Sequence, residues 1–243
     1  MLIICYTNKG DNMRLDKFIA ETLKVSRKDA KILIKKKQIK VNGEIVKDDS
    51  FNVDLLTQSI TYLNQELKYE QYIYLLMHKP KGYVCARVDN LNKTVMELIP
   101  FEYLAKDLSI VGRLDIDTEG VLLLTNDGKL IHNLTSPNHD VLKTYYVEFE
   151  GTLSDNAREL VKTGIEIDDY ITKPATIEIL SNNQANITIS EGKFHQVKKM
   201  FEKLNTKVTY LKRVKFDTIT LDNLELGKVR RLTEEEIEIL KGK

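Results

Sequence analysis

The densest group of side chains able to carry chemistry lies in the segment GRLDIDTEG, from Gly112 to Gly120. Its carboxylates Asp115 and Asp117 belong to a residue type that serves as nucleophile, general base or metal ligand. The apolar run Val121 to Leu124 follows at once. Acidic residues between two glycines that lead into a buried strand indicate a loop held at a sheet edge, where functional sites are common.

Three interpretations of this loop compete. A calcium-binding loop is excluded, because Glu119 replaces the fifth ligand and Asn126 stands where the twelfth position requires a glutamate. A phosphatase loop of the haloacid-dehalogenase kind, with the pattern D-x-D-x-[TV], is a poor match, because Thr118 comes one position early and Arg113 interrupts the approach. A solvated acidic turn without chemistry also fits. The residues of the loop alone leave the last two open.

Composition sets the frame in which this loop must be placed. The chain has 243 residues, 42% of them hydrophobic and 30% charged, which predicts a globular protein of two domains rather than a disordered or fibrous one. The formal charge of +1 argues against a uniformly basic coat for nucleic acid. The 2 cysteines, Cys5 and Cys85, form no CxxC pair, so we expect no disulfide framework, no zinc site and a cytoplasmic location.

The N-terminal apolar run is too short for a signal sequence or a membrane span and lacks a basic flank, so we expect no membrane partner.

Two helices are predicted near the N-terminus. The first has an apolar stripe at helical spacing, formed by Leu15, Phe18, Ile19 and Leu23. Ser26 is a favourable N-cap and Asp29 can complete a capping box, which predicts a second helix from Arg27 to Lys37. One side of this helix is apolar (Ala30, Leu33 and Ile34), and a neighbouring sector carries the cations Arg27, Lys28, Lys31 and Lys35.

A hairpin and a larger α+β region follow these helices. Asn42-Gly43 favours a type I′ turn between two short strands. Residues 51–71 are predicted to form a short strand and a linker. Beyond them, strands are predicted at Ile73–Met77, Val121–Thr125, Tyr145–Phe149, Ala175–Leu180, Ala185–Ile189 and Val208–Phe216, and helices at Val95–Ile99, Ser154–Thr163, Phe194–Leu204 and Glu234–Leu240. Strands outnumber helices and do not alternate with them, which favours a mostly antiparallel sheet.

The segment MRLDKFIAETLKVSRKDAKILIKKKQIKVNGEIVKD, from Met13 to Asp48, resembles the S4 RNA-binding domain family in its paired helices, its Ser-Arg helix start and its Val-Asn-Gly turn. The predicted organisation is therefore an N-terminal extension at residues 1–12, an S4 domain at 13–60, a linker at 61–71 and a catalytic domain at 72–243. The resemblance implies that the S4 domain contacts RNA, through Arg14, Arg27, Lys28, Lys31 and Lys35.

The remainder of the chain resembles the RsuA-type pseudouridine synthases, in which an S4 domain precedes a mixed-sheet catalytic domain. The motifs that carry the resemblance occur in the family order: KPKGYV from Lys79, GRLDIDTEGVLLLTNDG from Gly112, TSP with KTY from Thr135, and EGKFHQVKKMF from Glu191. Several long motifs in one order are far more specific than any single motif. They favour a functional interpretation of the acidic loop over the phosphatase loop and the solvated turn.

The resemblance implies isomerisation of uridine to pseudouridine in ribosomal RNA, without metal or other cofactor. Asp115 is the implied catalytic carboxylate, and Lys198 occupies the family position that pairs with it. A cation within about 4 to 6 Å would favour the ionised carboxylate. Tyr145, from the K-x-Y motif, would lie against the extruded uracil. Strand alternation places Tyr146 on the opposite face.

Further residues are carried over with these motifs. Arg113 is expected to help eject the base or hold phosphate, and Asp117 and Thr118 to fix the loop that presents Asp115. His195 and Gln196 are expected to contact substrate, and Lys212 and Arg213 to contact RNA phosphates. In the last motif, Phe194, Val197, Phe201 and Leu204 have helical spacing and are predicted to form one apolar stripe, which excludes Lys198.

The charge balance of the whole chain is a cancellation. Between Met13 and Asp48, eleven basic residues face five acidic ones, so this segment has a charge of +6 and the rest of the chain has −5. RNA attraction is therefore expected to concentrate at the S4 domain, with a steep dependence on salt. The segments GYVCA, TSPNHD and KPA are most similar to those of the enzymes that act on small-subunit 16S rRNA, at a uridine 516-type site. We expect a monomer whose partner is 16S rRNA or the assembling small subunit.

Overall fold

The chain divides into two compact units, with the boundary between Gln71 and Tyr72. The computed structural model describes residues 12–104 and 107–242. The predicted N-terminal extension lies outside the described residues, apart from Asn12. In the part of the chain that the structure describes, no helix is long and apolar enough to cross a membrane.

The described part of the N-terminal unit consists of two helices and six short strands. In chain order these are β1 (Asn12–Arg14), α1 (Leu15–Leu23), α2 (Arg27–Lys35), β2 (Ile39–Val41), β3 (Glu44–Ile45), β4 (Asn52–Asp54), β5 (Ile60–Tyr62) and β6 (Gln65–Glu66). Strands β3, β2, β5 and β6 form one antiparallel sheet in that order, and β1 pairs with β4. The predicted helix pair and hairpin are confirmed.

The apolar stripes of the two helices form the core of this unit. Leu15, Phe18 and Ile19 of α1 are at most 1% exposed, and Ala30 and Ile34 of α2 are fully buried. Burial of these side chains holds together a unit whose strands have only two or three residues each.

The predicted N-cap of α2 and the predicted turn are present, but the capping box is incomplete, because the Asp29 carboxylate bonds the Ser26 hydroxyl rather than the Ser26 backbone N–H. The Ser26 hydroxyl accepts a hydrogen bond from the Asp29 backbone N–H and donates one to the Asp29 carboxylate, which caps α2. Asn42 and Gly43 have φ angles of 50° and 86°, as a type I′ turn requires.

The segment from 61 to 71, predicted as a linker, contains sheet structure. Strand β5 pairs with β2, and β6 pairs with β5, so both extend the sheet of the N-terminal unit. The strands have three and two residues, too few for an alternation that a sequence pattern reveals. Long-range pairing, rather than local propensity, places them in the sheet.

The described part of the second unit is built on a long mixed sheet. Its elements are β7 (Tyr74–Lys79), β8 (Tyr83–Val84), β9 (Lys93–Thr94), a 3₁₀ helix (Val95–Leu98), α3 (Phe101–Leu104), β10 (Ser109–Val111), β11 (Glu119–Thr125), α4 (Gly128–Thr135), a 3₁₀ helix (Pro137–His139), β12 (Lys143–Gly151), α5 (Ala157–Thr163), β13 (Glu166–Ile167), β14 (Tyr170–Ile171), β15 (Thr176–Ser181), β16 (Gln184–Ile189), α6 (Gln196–Lys203), β17 (Thr206–Phe216), β18 (Ile219–Thr220), β19 (Val229–Arg231) and α7 (Glu234–Lys241).

The central strand order is β15-β16-β12-β17-β11-β7-β19, with β10 paired to β11 and β18 to β17. Every pairing in this sheet is antiparallel except the one between β11 and β17. The predicted α+β class with a mostly antiparallel sheet is therefore confirmed. The parallel contact is short, joining Glu119 to Lys212 and Gly120 to Arg213, and it borders the acidic loop.

Both faces of the sheet centre are covered. On β11, Leu122 and Leu124 belong to the core that includes α5 and α6, whereas Val121 and Leu123 belong to the core that includes α4 and α7. A strand buried on both faces is a continuous apolar run in sequence, which explains the pattern of residues 121–124.

Helix α4 was not predicted, because Gly128 follows Asp127 as in a turn. In the structure, the Asp127 carboxylate caps this helix by accepting hydrogen bonds from the Lys129 and Leu130 N–H groups.

The predicted apolar stripe of α6 is correct except at its first member. Val197, Phe201 and Leu204 are at most 4% exposed, but Phe194 is 73% exposed. The helix begins at Gln196, and His195 before it has a left-handed φ of 54°. This turn takes Phe194 off the helical path, so helical spacing does not govern where its ring lies.

Candidate active site

The acidic loop connects β10 to β11 and is anchored at both ends by glycine. A Cβ atom on Gly112 would lie 2.6 Å from the Phe216 ring, and one on Gly120 would lie 2.1 Å from the Arg213 carbonyl oxygen. Both glycines also have positive φ angles, 65° and 118°. Only glycine allows these close approaches without displacing β17.

A buried lysine holds the inside of the loop. Lys79, at the end of β7, is fully buried, and its Nζ donates to the carbonyl oxygens of Pro80, Asp115, Ile116 and Thr118 at 2.9 to 3.4 Å. Burial lowers the pKa of this ammonium, and the loop carbonyls compensate for the water it has lost. The loop backbone that carries Asp115 is therefore fixed from within.

Arg213 performs a similar task, which overturns the prediction that it contacts RNA phosphate. It is 1% exposed, and its guanidinium donates to the Val121 carbonyl at 2.8 Å and the Gly112 carbonyl at 2.6 Å. A β-bulge opposite Tyr145 interrupts the pairing of β17 with β12, where Thr144 pairs with Lys215 and Tyr145 with Arg213. Arg213 immediately precedes the bulge, and its side chain is buried.

Asp115 and Lys198 come together as predicted. Lys198 Nζ lies 3.2 Å from Asp115 Oδ2 and 2.6 Å from Asp117 Oδ1, and the Asp115 side chain is 27% exposed. Burial raises the pKa of Asp117, but the hydrogen bond and the charge of Lys198 outweigh it, so the pKa lies below its ordinary value. An ammonium occupies the position between the two carboxylates that a phosphatase would need for its divalent cation, which argues against that interpretation.

A cleft that is open to solvent lies over Asp115. Six of the predicted catalytic and substrate-binding residues line it: Arg113, Asp115, Thr118, Tyr145, His195 and Gln196. Tyr145 is 7% exposed and projects from β12 into this side of the sheet. Tyr146 lies on the other face, where its hydroxyl donates to Glu148 at 2.9 Å, so strand alternation separates the two tyrosines as predicted.

Two polar groups on the cleft wall are available to a ligand. Arg113 is exposed, and no ion pair forms to it among the described residues. The Thr118 side chain is 1% exposed, and its buried hydroxyl finds no hydrogen-bond partner within residues 12–104 and 107–242. An unsatisfied buried hydroxyl on a cleft wall is a suitable donor or acceptor for substrate.

The two remaining residues predicted to contact substrate, His195 and Gln196, differ in how freely their side chains can reach a ligand. His195 Nε2 lies 3.7 Å from Asp115 Oδ2, and its side chain is 40% exposed. Gln196 is 3% exposed; its amide oxygen accepts from the Lys193 N–H and its amide nitrogen donates to Glu191. Both ends of the Gln196 amide are therefore used within the turn before α6, which indicates that Gln196 shapes this turn.

The predicted RNA-binding cations of the S4 domain surround one buried carboxylate. Asp16 is 1% exposed and pairs with Arg14 at 3.1 Å, Arg27 at 2.8 Å and Lys31 at 3.8 Å. The three cations are themselves 42 to 55% exposed. Sequence patterns did not reveal the role of Asp16 at the centre of this cluster, because its partners are up to 15 residues away in the chain.

The other predicted RNA-binding lysines lie outside this cluster. Lys28 and Lys35 are exposed on α2, and Lys212 is half-buried on β17.

Replacing Asp16 with Asn is expected to lower the free energy of unfolding of the N-terminal unit by about 1 to 3 kcal/mol at pH 7, because charged hydrogen bonds are lost. The hydrogen bond from Arg14 is the main cause that holds the pKa of Asp16 well below its ordinary value. The stabilisation is thus complete above the unfolded value of about 4 and declines at lower pH. Urea unfolding at pH 7 and 3 measures it, with exposed Glu44→Gln as the control; equal stabilities of wild type and variant at pH 7 would contradict the prediction.

Lys143, the lysine of the K-x-Y motif, is a second group whose burial changes its pKa and therefore makes stability depend on pH. Its Nζ donates to the Val141 carbonyl at 2.7 Å and lies 5.5 Å from the centroid of the Phe216 ring. Burial, assisted by the charge of Arg213, lowers its pKa to about 8. Unfolded lysine titrates near 10.4, so between these values the unfolded chain binds more protons and stability rises with pH.

The free energy of unfolding of wild type minus that of Lys143→Met is therefore expected to increase from pH 7 to 9.5. Urea denaturation across this range measures the difference, and exposed Lys129→Met supplies the matched loss of charge. A difference that stays constant with pH would show that burial does not perturb Lys143.

Comparison with known proteins places this geometry in a family. Residues 73–203 match the family described as RNA pseudouridylate synthase, and residues 13–55 match the S4 domain. An uncharacterized RNA pseudouridine synthase of Bacillus subtilis (strain 168), YtzG, is 42% identical over 234 residues, covering 94% of this chain and 98% of its own. The ribosomal small subunit pseudouridine synthase A of Escherichia coli (strain K12) is 41% identical over 229 residues, covering 93% and 98%.

A solved structure supports the same assignment. A crystal structure of a pseudouridylate synthase covers 94% of this chain and 99% of its own, at 40% identity and a TM-score of 0.66. The fold and site thus define an RNA-modifying isomerase that has a separate RNA-binding unit. The chain belongs to the RNA pseudouridine synthase family and is of the RsuA type.

Proposed function

We propose that this chain isomerises uridine to pseudouridine in 16S rRNA of the small ribosomal subunit, at a uridine 516-type site, without a cofactor. The observation that carries the proposal is the position of Asp115, a partly exposed carboxylate that lies 3.2 Å from Lys198 in a cleft lined by Tyr145. Relatives that bear the name ribosomal small subunit pseudouridine synthase A are 40 to 42% identical over nearly the whole chain, which supports the choice of substrate.

The reaction requires rearrangement of bonds but no net change of atoms. The bond from uracil N1 to ribose C1′ breaks, the uracil turns within the site, and C5 is joined to C1′. N1 gains a proton and C5 loses one, so substrate and product have the same composition. Asp115 acts as nucleophile or base on the sugar or the base, and Lys198 keeps negative charge stable at this position.

The remaining cleft residues bind the extruded nucleotide. An enzyme that alters a base must take it out of its stack, and an aromatic wall compensates for the lost stacking. Tyr145 provides this wall, and its phenol is placed to assist removal of the C5 proton. Arg113 at the rim holds phosphate or displaces the base, and the Thr118 hydroxyl contacts the uracil. Two buried cations, Lys79 and Arg213, keep the loop in this arrangement.

The S4 domain is the proposed anchor on RNA. Its +6 charge between Met13 and Asp48 contrasts with −5 for the rest of the chain, so association with 16S rRNA or the assembling small subunit should depend strongly on salt. Exposed Lys28 and Lys35, with the three cations around Asp16, supply the phosphate contacts. The proposed enzyme acts in the cytoplasm as a monomer.

Release of tritium from 16S rRNA labelled at uridine C5 tests the proposal directly, because the C5 hydrogen leaves only when the new bond forms. Wild type is expected to release one equivalent per modified site, with no loss of activity in EDTA. RNA binding without tritium release would favour a non-catalytic ribosome-assembly factor. Phosphate release that requires Mg²⁺ would favour a phosphohydrolase that uses Asp115 and Asp117.

A further inference from the structure

An exposed aromatic ring lies between Lys193 and His195, which both line the cleft, and it has no role in the reaction derived above. Phe194 is 73% exposed, although a phenyl ring gains most from burial. Its ring is stacked on the His195 imidazole, with centroids 3.8 Å apart and planes 20° from parallel. His195 Nε2 lies 3.7 Å from Asp115 Oδ2. Two stacked rings therefore lead from the catalytic carboxylate to the protein surface.

Packing among the residues that the structure describes does not account for the position of Phe194. The apolar core under α6 is completed by Val197 and Phe201, and the left-handed turn at His195 directs the chain before it out of this core. Lys199 Nζ, which also forms an ion pair with Asp168, lies 5.4 Å from the centroid of the Phe194 ring. An exposed aromatic surface accompanied by a cation is the combination with which proteins bind bases of single-stranded nucleic acid.

We propose that Phe194 is a stacking platform for a nucleobase next to the target uridine. The proposal rests on the proposed function, because extrusion of the uridine into the cleft leaves a neighbouring base of the same strand without its stacking partner. The Phe194 ring replaces that partner, and His195 continues the stack toward Asp115. The platform assists RNA binding and takes no part in the bond changes.

The composition of the chain offers a direct reporter. Wild type contains no Trp, so Phe194→Trp carries the only indole, and stacking of a base on it quenches its fluorescence. Phe101→Trp is the matched control, because Phe101 is 88% exposed in the same unit and, unlike Phe194, has no cleft-lining residue beside it in the chain. Titration with unmodified 16S rRNA transcript is expected to quench Phe194→Trp and leave Phe101→Trp unchanged.

Kinetics separate a platform from a structural role. Phe194→Leu is expected to raise KM for the transcript about 5- to 100-fold, the effect of losing one stacked base, with kcat changed less than about 3-fold. Phe194→Tyr keeps the aromatic face and should retain the wild-type KM. A fall in kcat at unchanged KM would overturn the proposal, since it would mean that Phe194 only positions His195.

The outcomes also distinguish this proposal from the proposed function. If wild type releases tritium but bound transcript does not quench Phe194→Trp, the platform is refuted and the isomerase stands. If no RNA releases tritium but the transcript quenches Phe194→Trp and not Phe101→Trp, the proposed isomerase activity fails, while Phe194 still stacks on a base of the bound RNA. Circular dichroism of each variant establishes that its fold is intact.

Discussion

Asp115→Asn is expected to reduce tritium release at least about 10³-fold, because the amide that replaces the carboxylate is neither a nucleophile nor a base. The substitution preserves size and leaves the loop intact, since the Asp115 backbone carbonyl, and not its side chain, receives the hydrogen bond from Lys79. RNA affinity should change less than about 3-fold, because the S4 domain supplies most of the charge that attracts RNA.

Asp117→Asn is the matched control for Asp115→Asn. It lies in the same loop and contacts the same Lys198 Nζ, but its side chain is 62% exposed and does not line the cleft. We expect a loss of less than about 10-fold for Asp117→Asn, since surface ion pairs contribute little. If Asp115→Asn retained wild-type turnover, or if both variants lost activity equally, the assignment of Asp115 would be wrong.

Lys198→Met is expected to lower kcat about 10²- to 10³-fold, because it removes the cation that faces Asp115 at 3.2 Å in a partly buried site. Lys198→Arg preserves the charge and should retain most of the activity, with a planar group in place of a point charge. Lys203→Met, at the exposed end of α6, is the control for loss of a lysine from the same helix.

An independent measurement reports whether Lys198→Met acts by charge. Lys198 supplies the main influence that lowers the pKa of Asp117, so without it the pKa of that carboxyl should rise from its wild-type value. Carbon-13 NMR titration of the aspartate carboxyl groups in wild type and variant measures the shift. An unchanged pKa of Asp117, or full activity in Lys198→Met, would exclude the electrostatic role.

The structure confirms those elements for which local sequence signals are strong. The helix α2, with its Ser26 cap and buried face, and the turn at Asn42-Gly43 are specified by neighbouring residues. The α4 helix and the strands β5 and β6 were missed, since a Gly after an Asp resembles a turn and strands of two or three residues have no detectable alternation. For the same reason, the predicted linker at 61–71 contains the end of β5 and the whole of β6.

Motifs predicted the members of the site, but the sequence did not reveal what supports them. Lys79 and Arg213 lie 36 and 101 residues from the loop carbonyls with which they bond. Their burial arises from the pairing of β7 and β17 with β11, which no local pattern encodes. A cation at the end of a mostly apolar strand, as Lys79 is at the end of β7, is a signal in the sequence that hints at such a role.

The sequence by itself determined the family and the order of the two domains, and it predicted Asp115, Tyr145 and Lys198 as site residues, because motif order and spacing are local properties of the chain. Only the tertiary structure decided that Arg213 is an internal brace, that Gln196 is used within its own turn, and that Phe194 is exposed. These facts depend on a β-bulge, a left-handed residue and contacts between distant strands. Each is decided when the sheet and helices pack around the core. Packing gives some polar groups, such as those of Arg213 and Gln196, hydrogen-bond partners inside the protein, and it leaves the Phe194 ring exposed.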